Sequence, residues 1–443
     1  MYQHSTPNDP AVASAALERQ PGAASGKASR RGFIKASAAS LAAAALASPP
    51  VFAGGSDRIR IGLVGCGGRG SGAAADCVRS CPGVELVALG DLFKDRLDSA
   101  RRSLKHELPA EAFRVSDDTC FVGFDAYRQV IACDVDLVLL ATPAHFRPIH
   151  LKAAVEAGKH VFIEKPVAVD PVGARSVIAS SELAAKKNLA VVAGAQRRHD
   201  PRYREIMKRI HDGAIGELVG AQCHWYRGYL WSRERKPEWS DMEWQVRNFL
   251  YFTWLSGDCI VETLLHNIDV VNWAFGGPPA SALGMGGRQV RTEAKWGSIY
   301  DHFAVEYVYS QGVRTLAACR EMPDCVDRVS ERIVGTKGVA YGHGVIEGEN
   351  PYRYQGSVKS SPYVLEHVNL IESIRSGNPL NEGRRMAESN LTAIMGRMSA
   401  YSGQEVTWDF VANKSQLDLS PAKYEFCELA VPRVAMPGQT KLI

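Results

Sequence analysis

Short apolar runs alternate with longer amphipathic segments in the first half of the chain. The runs are rich in Val, Ile, Leu and Ala and are predicted to be buried strands, at residues 58–64, 84–89, 135–141, 160–163 and 189–193. The segments 148–157 and 172–187 have helical periodicity. Because strands and helices alternate over short connections, we expect an α/β domain whose parallel sheet binds a ligand at the carboxyl ends of its strands.

The pattern changes at about residue 200. A helix at 201–211 leads into strands that are predicted to pair antiparallel, at residues 218–226, 281–289, 301–309 and 314–320. Two helices, at 363–376 and 383–402, follow. Because 443 residues are too many for one ordinary core, we predict three parts: a leader (1–53), an α/β domain (57–198) and an α+β domain (199–443).

The first residues have the pattern of an export signal. Residues 1–28 lack apolar periodicity, and Ser29-Arg30-Arg31-Gly32-Phe33-Ile34-Lys35 follows them. The Ala-rich run at 36–47 has no polar face, is too short to span a bilayer, and is followed by small residues suited to cleavage at 51–53. The segment resembles a twin-arginine signal. We therefore expect the twin-arginine machinery to export the folded protein to the periplasm.

Charge and cysteine content argue against two classes of partner. The net charge is +4 with both signs mixed along the chain, which argues against nucleic acid. The closest pairs among the ten cysteines, Cys77/Cys81 and Cys319/Cys325, lack the paired two-residue spacing of a zinc site, so we expect no metal. Buried free thiols are expected, and disulfides stay open for an exported protein.

A glycine-rich loop, Gly65-Cys66-Gly67-Gly68-Arg69-Gly70, follows the first predicted strand. Gly65 permits a tight turn, Gly67 leaves room for backbone N–H groups to approach a pyrophosphate, and Gly70 lets the next helix pack on the strand. That helix offers its N-terminal N–H groups to the phosphates. This context predicts a Rossmann dinucleotide-binding domain, with cofactor contacts at Gly65, Gly67, Gly68, Arg69 and Gly70.

An acidic residue ends the second predicted strand. Asp91 lies about twenty residues beyond the glycine loop, where a carboxylate receives the adenosine ribose hydroxyls. It would repel a 2′-phosphate, so we expect NAD rather than NADP. Lys94 nearby tempers that preference.

Polar residues also follow two later strands of this domain. Thr142 and Pro143, and then His145, come after the strand at 135–141, whereas Glu164 and Lys165 follow the strand at 160–163. Because the carboxyl ends of parallel strands meet at one edge of the sheet, we expect Thr142, Pro143, Glu164 and Lys165 to face the nicotinamide half of the cofactor. His145 is also predicted to contact the cofactor.

These segments resemble one known family. Ala141-Thr142-Pro143, the glycine loop and above all Ala157-Gly158-Lys159-His160-Val161-Phe162-Ile163-Glu164-Lys165-Pro166 are similar to the glucose-fructose oxidoreductase / inositol dehydrogenase / MocA (Gfo/Idh/MocA) family. The likeness covers nearly the whole chain after the leader. It implies that Lys165 lies beside the nicotinamide. It also implies an open, mainly antiparallel sheet in the second domain that builds homo-oligomer contacts.

The resemblance also implies an acidic residue four positions before a histidine on a helix of the second domain. Glu262 and His266 have that spacing, which puts both side chains on one helix face. The family usually has Asp where this chain has Glu262, so Asp258, one turn earlier, is a rival. Without the Lys165 motif, a histidine on such an apolar helix would be interpreted as a core residue.

An aromatic segment lies between Trp225 and Trp254 and holds five of the eight tryptophans. Aromatic faces and planar donors suit a sugar ring, because its C–H face is apolar and its hydroxyls need fixed partners. Packing within a loop is the alternative explanation. The predicted substrate contacts are Arg198, Trp225, Arg247, Asn248, Tyr251 and Trp254.

The expected chemistry is hydride transfer from a sugar, polyol or glycoside carbon, with His266 as general base and Lys165 stabilising the developing alkoxide. Glu262 would orient His266 or hold a neighbouring hydroxyl. Since no free NAD pool exists outside the cytoplasm, we expect a tightly bound cofactor that is regenerated in each cycle. Two alternatives stay open: a glycoside hydrolase or lyase that oxidises its substrate transiently, and a non-catalytic sugar-binding protein on the same fold.

Overall fold

The computed structural model describes residues 57–443. The predicted export signal lies outside the described residues. No helix between residues 57 and 443 combines the length and the apolar character needed to cross a membrane.

The first domain is a parallel six-stranded sheet with the order β3-β2-β1-β4-β5-β6. Its strands are β1 (Ile59–Val64), β2 (Val84–Asp91), β3 (Cys120–Val122), β4 (Leu137–Leu140), β5 (His160–Ile163) and β6 (Val191–Ala193). The connecting helices are α1 (Gly68–Ser80), α2 (Lys94–Glu107), α3 (Ala126–Ala132), α4 (Arg147–Glu156) and α5 (Pro171–Lys186). Strands β1 to β3 are added toward one edge of the sheet and strands β4 to β6 toward the other. This switch between β1 and β4 opens a crevice at their carboxyl ends. The predicted Rossmann domain is confirmed.

The second domain contains a nine-stranded sheet with the order β14-β13-β12-β11-β7-β10-β9-β8-β15. Its strands are β7 (Leu218–Arg227), β8 (Ser281–Gly287), β9 (His302–Val308), β10 (Arg314–Glu321), β11 (Arg328–Gly335), β12 (Gly338–Tyr341), β13 (Val345–Gly348), β14 (Tyr352–Arg353) and β15 (Val406–Thr407). Only the β7–β10 pair is parallel within these described strands, so the mainly antiparallel sheet is confirmed.

The helices of the second domain link it closely to the first. They are α6 (Pro201–His211), α7 (Asp241–Arg247), α8 (Thr253–Ser256), α9 (Leu265–Phe275), α10 (Pro362–Arg375) and α11 (Gly383–Ser402). Helix α10 packs on α1, and α11 lies between α5 and β8. Side chains from the last quarter of the chain therefore reach the glycine loop.

Aspartate–proline pairs start the helices on either side of the junction between the domains. Asp170 precedes α5 and its Oδ1 accepts the Gly173 N–H at 2.7 Å. Asp200 precedes α6 and its Oδ1 accepts the Arg202 N–H at 2.9 Å. Each proline stands at a position where its missing N–H costs nothing, so sequence alone fixes these helix starts.

Residues 416–443, the C-terminal tail, run in an extended path over both domains. The tail turns back on itself, because the Ser415 hydroxyl donates to the carbonyl of Ile443. It follows the last predicted helix and lacks apolar periodicity, so its course could not be predicted from the sequence.

Candidate active site

A cleft of about 640 Å³ lies at the carboxyl ends of the parallel strands, between the two domains. The glycine loop forms one end of it, and Lys165, Glu262 and His266 line the other. Residues at the carboxyl ends of β1 and β2, and residues that directly follow β4 and β5, share the walls with residues of the segment 231–249 in the second domain. The two groups of residues that the sequence predicts to bind a dinucleotide and to act on a substrate thus share one cavity.

The glycine loop has both close-packed and open positions. Gly65 has a φ of +100°, and a Cβ there would lie 2.6 Å from the Ala141 carbonyl carbon. A Cβ on Gly70 would lie 1.8 Å from the Gly65 oxygen. At Gly67 and Gly68, by contrast, no described atom lies within 4 Å of the added carbon. The open positions border the cleft at the start of α1, where backbone N–H groups favour an anion.

Asp91 joins the end of β2 to the glycine loop. Its Oδ2 accepts the Cys66 N–H at 2.6 Å and its Oδ1 accepts the Phe93 N–H at 2.8 Å. Burial raises the pKa of Asp91, and the two N–H donors partly offset that effect. Asp91 borders the cleft in the region where a ribose is predicted to bind.

Arg69 connects the glycine loop to two buried carboxylates. Its Nε donates to Glu164 at 2.5 Å and its Nη2 donates to Glu366 of α10 at 2.9 Å. The guanidinium also lies 4.8 Å from the ring centre of Tyr363. Burial, together with the charge of Glu164, raises the pKa of Glu366 well above its usual range. The sequence predicts Arg69 as a cofactor contact but does not predict its contacts with Glu366 and Tyr363 of α10.

Lys165 and Glu262 form the centre of the other end of the cleft. Lys165 Nζ donates to the Glu262 carbonyl at 2.6 Å and to Glu262 Oε1 at 3.2 Å. Oε2 of Glu262 is buried and has no hydrogen-bond partner among the described residues. Such an atom needs a donor, and a substrate hydroxyl in the cleft can supply one.

His266 stands beside this pair at the start of α9. The residues just before it, Ile260–Leu264, form a π-helical turn, a local irregularity that is common at functional sites. The His266 ring stacks on Trp225 with 5.8 Å between ring centres. Burial lowers the pKa of His266 well below its usual range, and the charges of Lys165, Arg197 and Arg69 lower it further. The ring is therefore neutral at pH 7 and able to accept a proton.

Comparison with known proteins assigns both domains. Residues 59–195 match the model of an oxidoreductase family with an NAD-binding Rossmann fold, and residues 203–341 match the GFO/IDH/MocA C-terminal domain. Together the two matches cover more than half of the chain. The chain belongs to the Gfo/Idh/MocA family.

Curated relatives of this Gfo/Idh/MocA chain match over shorter stretches. Inositol 2-dehydrogenase 4 of Saccharopolyspora erythraea is 35% identical over 165 residues, which is 37% of this chain and 44% of the relative. A glycosyl hydrolase family 109 protein of Streptomyces niveus is 31% identical over 205 residues, 45% of this chain and 38% of the relative. The chain spans about half the length, or less, of these relatives.

A solved structure confirms the fold at low identity. Levoglucosan dehydrogenase, in complex with NADH and levoglucosan, aligns with a TM-score of 0.62 and 16% sequence identity. The alignment covers 79% of this chain and 99% of that one.

Asp258, the rival of Glu262, lies in the interior of the second domain. It is fully buried with a φ of +75°, and its Oδ2 accepts the Tyr300 N–H at 2.8 Å and the hydroxyl of Tyr401. Its carboxylate is thus already bonded to Tyr300 and Tyr401 inside the domain. Glu262 is the acidic residue that faces the cleft in this member of the family.

Several predicted contact residues instead hold the fold together. Arg198 makes a buried two-point ion pair with Asp269, both contacts at 2.8 Å. His145, predicted as a cofactor contact, bonds to the Tyr424 hydroxyl at 2.8 Å behind the cleft wall. Burial lowers the pKa of His145 to about 4. Polar groups that already have such partners would lose them on turning to a ligand.

The aromatic segment is also largely packed on itself. Asn248 Oδ1 accepts the Arg233 N–H at 2.6 Å, and the Tyr251 hydroxyl donates to the Leu230 carbonyl at 2.9 Å. Trp254 Nε1 donates to Gln245 at 2.8 Å. These three residues are buried, so loop packing, the alternative explanation, accounts for them. Trp225 reaches the site only through its stacking on His266.

Arg247 does border the cleft, but at the end near Asp91 rather than beside Lys165. Sequence reasoning also missed other residues of the lining. They include Phe93, Arg96, Phe124, Arg147, Phe249 and Tyr363. Phe93 and Arg96 follow Asp91 closely in sequence, which is the one signal that could have found them.

Replacing Lys165 by methionine should raise the pKa of His266, because it removes a nearby positive charge that opposes protonation of the ring. In the wild-type protein, loss of activity in acid should begin only below about pH 6.5, since the ring stays neutral above its lowered pKa. An NMR titration of the His266 ring in the wild type and in Lys165→Met measures the difference in ring pKa without turnover. A ring pKa that stays the same in the variant contradicts this electrostatic coupling.

Proposed function

We propose that this chain is an NAD-dependent oxidoreductase that acts on a carbinol carbon of a sugar, polyol or glycoside. The observation that carries the proposal is the shared cleft, with the glycine loop at one end and Lys165, Glu262 and His266 at the other. Curated relatives that include an inositol dehydrogenase support the substrate class.

The residues at the first end of the cleft fit a dinucleotide. Gly67 and Gly68 leave a cradle that a Cβ would fill, and the N-terminus of α1 opens into it. Gly65, Gly70 and Asp91 would hold the loop and the ribose, and Thr142, Pro143 and Glu164 line the wall toward Lys165. The carboxylate of Asp91 favours NAD over NADP. When bound, the nicotinamide supplies the acceptor for a hydride.

The residues at the second end perform the proton chemistry. Neutral His266 accepts the proton of the substrate hydroxyl, and Lys165 donates a hydrogen bond to the same oxygen as negative charge develops on it. Glu262 holds Lys165 through its carbonyl and Oε1. Its unpartnered Oε2 accepts a bond from a neighbouring hydroxyl, which sets the orientation of the ring.

Export and assembly complete the proposal. The paired arginines Arg30 and Arg31 support passage through the twin-arginine machinery to the periplasm. A protein that leaves the cytoplasm must keep its NAD, so we infer a tightly held cofactor that returns to its starting state in each cycle. The nine-stranded sheet carries exposed Leu283, Met285 and Leu316, which suit a homo-oligomer interface.

A glycoside hydrolase or lyase is the second candidate function. The match to a family 109 glycosyl hydrolase favours it, since the aligned part carries 31% identity over 205 residues. Such an enzyme would oxidise a glycoside, eliminate the aglycone, add water to the resulting double bond if it is a hydrolase, and reverse the oxidation, so the same residues would serve both reactions.

One experiment separates the two candidates. The purified protein, without added cofactor, is mixed with sugars, polyols and p-nitrophenyl glycosides while absorbance is followed at 340 nm and 405 nm. Reduction of bound NAD in at most one equivalent identifies the oxidoreductase, and repeated release of p-nitrophenol identifies the hydrolase. Purified protein that contains no NAD and does not bind it when supplied contradicts both.

A further inference from the structure

The second domain reaches across the cleft to the first domain beside Asp91. Arg247, the last residue of α7, makes a two-point ion pair with Asp95 of α2, with distances of 3.1 and 3.0 Å. The hydrogen bonds from Arg247 lower the pKa of Asp95. Glu243 accepts the Arg247 Nε–H at 2.8 Å and so aims the guanidinium. This contact bridges the mouth of the cleft at the end opposite Lys165.

Phe93 lies directly beneath this bridge. The Arg247 guanidinium carbon is 3.8 Å from the Phe93 ring centre. Phe93 lines the cleft two positions after Asp91, on the turn where the adenosine ribose is predicted to bind. The bridge therefore lies over the adenosine half of the predicted cofactor site.

The C-terminal tail supports the same aromatic wall from behind. Phe426 stacks on Phe93 with 5.9 Å between ring centres and 13° between ring planes. Its ring also packs on Phe124, another residue of the cleft wall, with 5.5 Å between ring centres. The Tyr424 ring packs on Phe124 and Phe146 of that wall.

The tail is fastened to α7 by three hydrogen bonds. The Met242 N–H donates to the Cys427 carbonyl at 3.1 Å, and Gln245 Nε2 donates to the Leu429 carbonyl at 2.7 Å. The Leu429 N–H donates to Asp241 at 3.0 Å. Helix α7 thus contacts both α2 and the tail, and Phe93 lies between Arg247 and Phe426.

We propose that α7 and the tail form a clamp that retains the adenosine half of the dinucleotide. Arg247, Asp95 and Phe426 are its positioning residues: they act through Phe93 and through closure of α7 on α2. This inference rests on the proposed function, because the clamp is a means of keeping NAD bound during service outside the cytoplasm. It predicts that weakening the clamp speeds release of the cofactor without altering the chemical step.

The test measures release of NADH from the full-length protein. Loaded protein is mixed with excess NAD, and the loss of nicotinamide fluorescence gives the dissociation rate. Arg247→Ala and Phe426→Ala are each expected to raise that rate about fivefold, the scale of a lost ion pair or aromatic contact at a partly exposed site. Asp95→Asn, which changes only an exposed side chain, should act like Arg247→Ala, and Phe426→Leu should restore part of the retention.

Arg101→Ala is the matched control. Arg101 also lies on α2 and pairs with Asp117, but both residues belong to the first domain. The control should release NADH at the wild-type rate. Hydrogen exchange of the cofactor-free protein provides a second readout, in which Arg247→Ala and Phe426→Ala speed exchange in α7 while Arg101→Ala does not.

The outcomes separate the clamp from the function on which it rests. Unchanged release from Arg247→Ala, Asp95→Asn and Phe426→Ala overturns the clamp and leaves the oxidoreductase intact. Wild-type protein that folds but binds neither NADH nor NAD overturns the proposed function and the clamp with it. Faster release from Asp95→Asn and Phe426→Ala, whose side chains lie outside the lining of the cleft, with an unchanged rate of hydride transfer in a single turnover supports both.

Discussion

Replacing Lys165 by alanine should lower kcat by about a thousandfold or more while NAD remains bound. Lys165 Nζ is held by the Glu262 carbonyl and carboxylate in the same cleft as His266, so its removal withdraws the donor that stabilises the developing alkoxide. Loss of one such donor costs about 10²–10³ in rate, and disorder of Glu262 adds to that loss. The measurement is steady-state turnover, with a parallel NADH titration to verify binding.

Lys152→Ala is the control for this prediction. Lys152 is an exposed residue of α4 whose nearest carboxylate is Glu156 on the same helix. It should retain wild-type kcat. His266→Ala should match the loss seen in Lys165→Ala, because the base and the donor act on one hydroxyl. Full turnover by either site variant with cofactor bound would remove that residue from the mechanism.

Alanine at Gly70 and alanine at Gly67 should fail in different ways. The Cβ at position 70 would lie 1.8 Å from the Gly65 oxygen, so we expect the free energy of unfolding to fall by about 3 kcal/mol. At position 67 no described atom lies within 4 Å of the new carbon, and the φ of −73° suits alanine. Gly67→Ala should keep its Tm and lose at least about a hundredfold in NADH affinity, because the methyl fills the cradle.

Gly72→Ala is the control for the glycine loop. A Cβ at this position of α1 also meets no described atom within 4 Å, and Gly72 lies outside the lining of the cleft. It should keep both Tm and affinity. Tm by scanning calorimetry and NADH binding by fluorescence separate the three variants. If Gly67→Ala binds NADH as tightly as the wild type, the cofactor does not lie against this loop.

Local pattern was sufficient for the first domain. The apolar runs, the glycine loop and Asp91 lie within one strand-loop-helix-strand unit, where sequence neighbours are also spatial neighbours. Lys165 could be found for the same reason, since it directly follows β5. Glu262 and His266 were found by resemblance, and only the packing of Asp258 against Tyr300 and Tyr401 removed the rival.

The second domain exposed the limit of such reasoning. Arg198, Asn248 and Tyr251 have the chemistry of sugar ligands, but distant partners in the fold already satisfy their polar groups. Arg247 faces Asp95, a residue 152 positions away. No periodicity reports such long-range pairing, and the extended tail that reaches Phe93 has no periodicity at all.

The origin of the hydrogen on the bound nicotinamide tests the central claim most directly. Purified protein is incubated separately with perdeuterated glucose and with perdeuterated inositol. The dinucleotide is then released and its mass is measured by mass spectrometry. We predict deuterium in the dinucleotide from wild-type protein with at least one of these compounds, and a label that accumulates about a thousandfold more slowly in Lys165→Ala. Protein that binds NAD and either compound, yet returns an unlabelled dinucleotide from both, would contradict hydride transfer in this cleft.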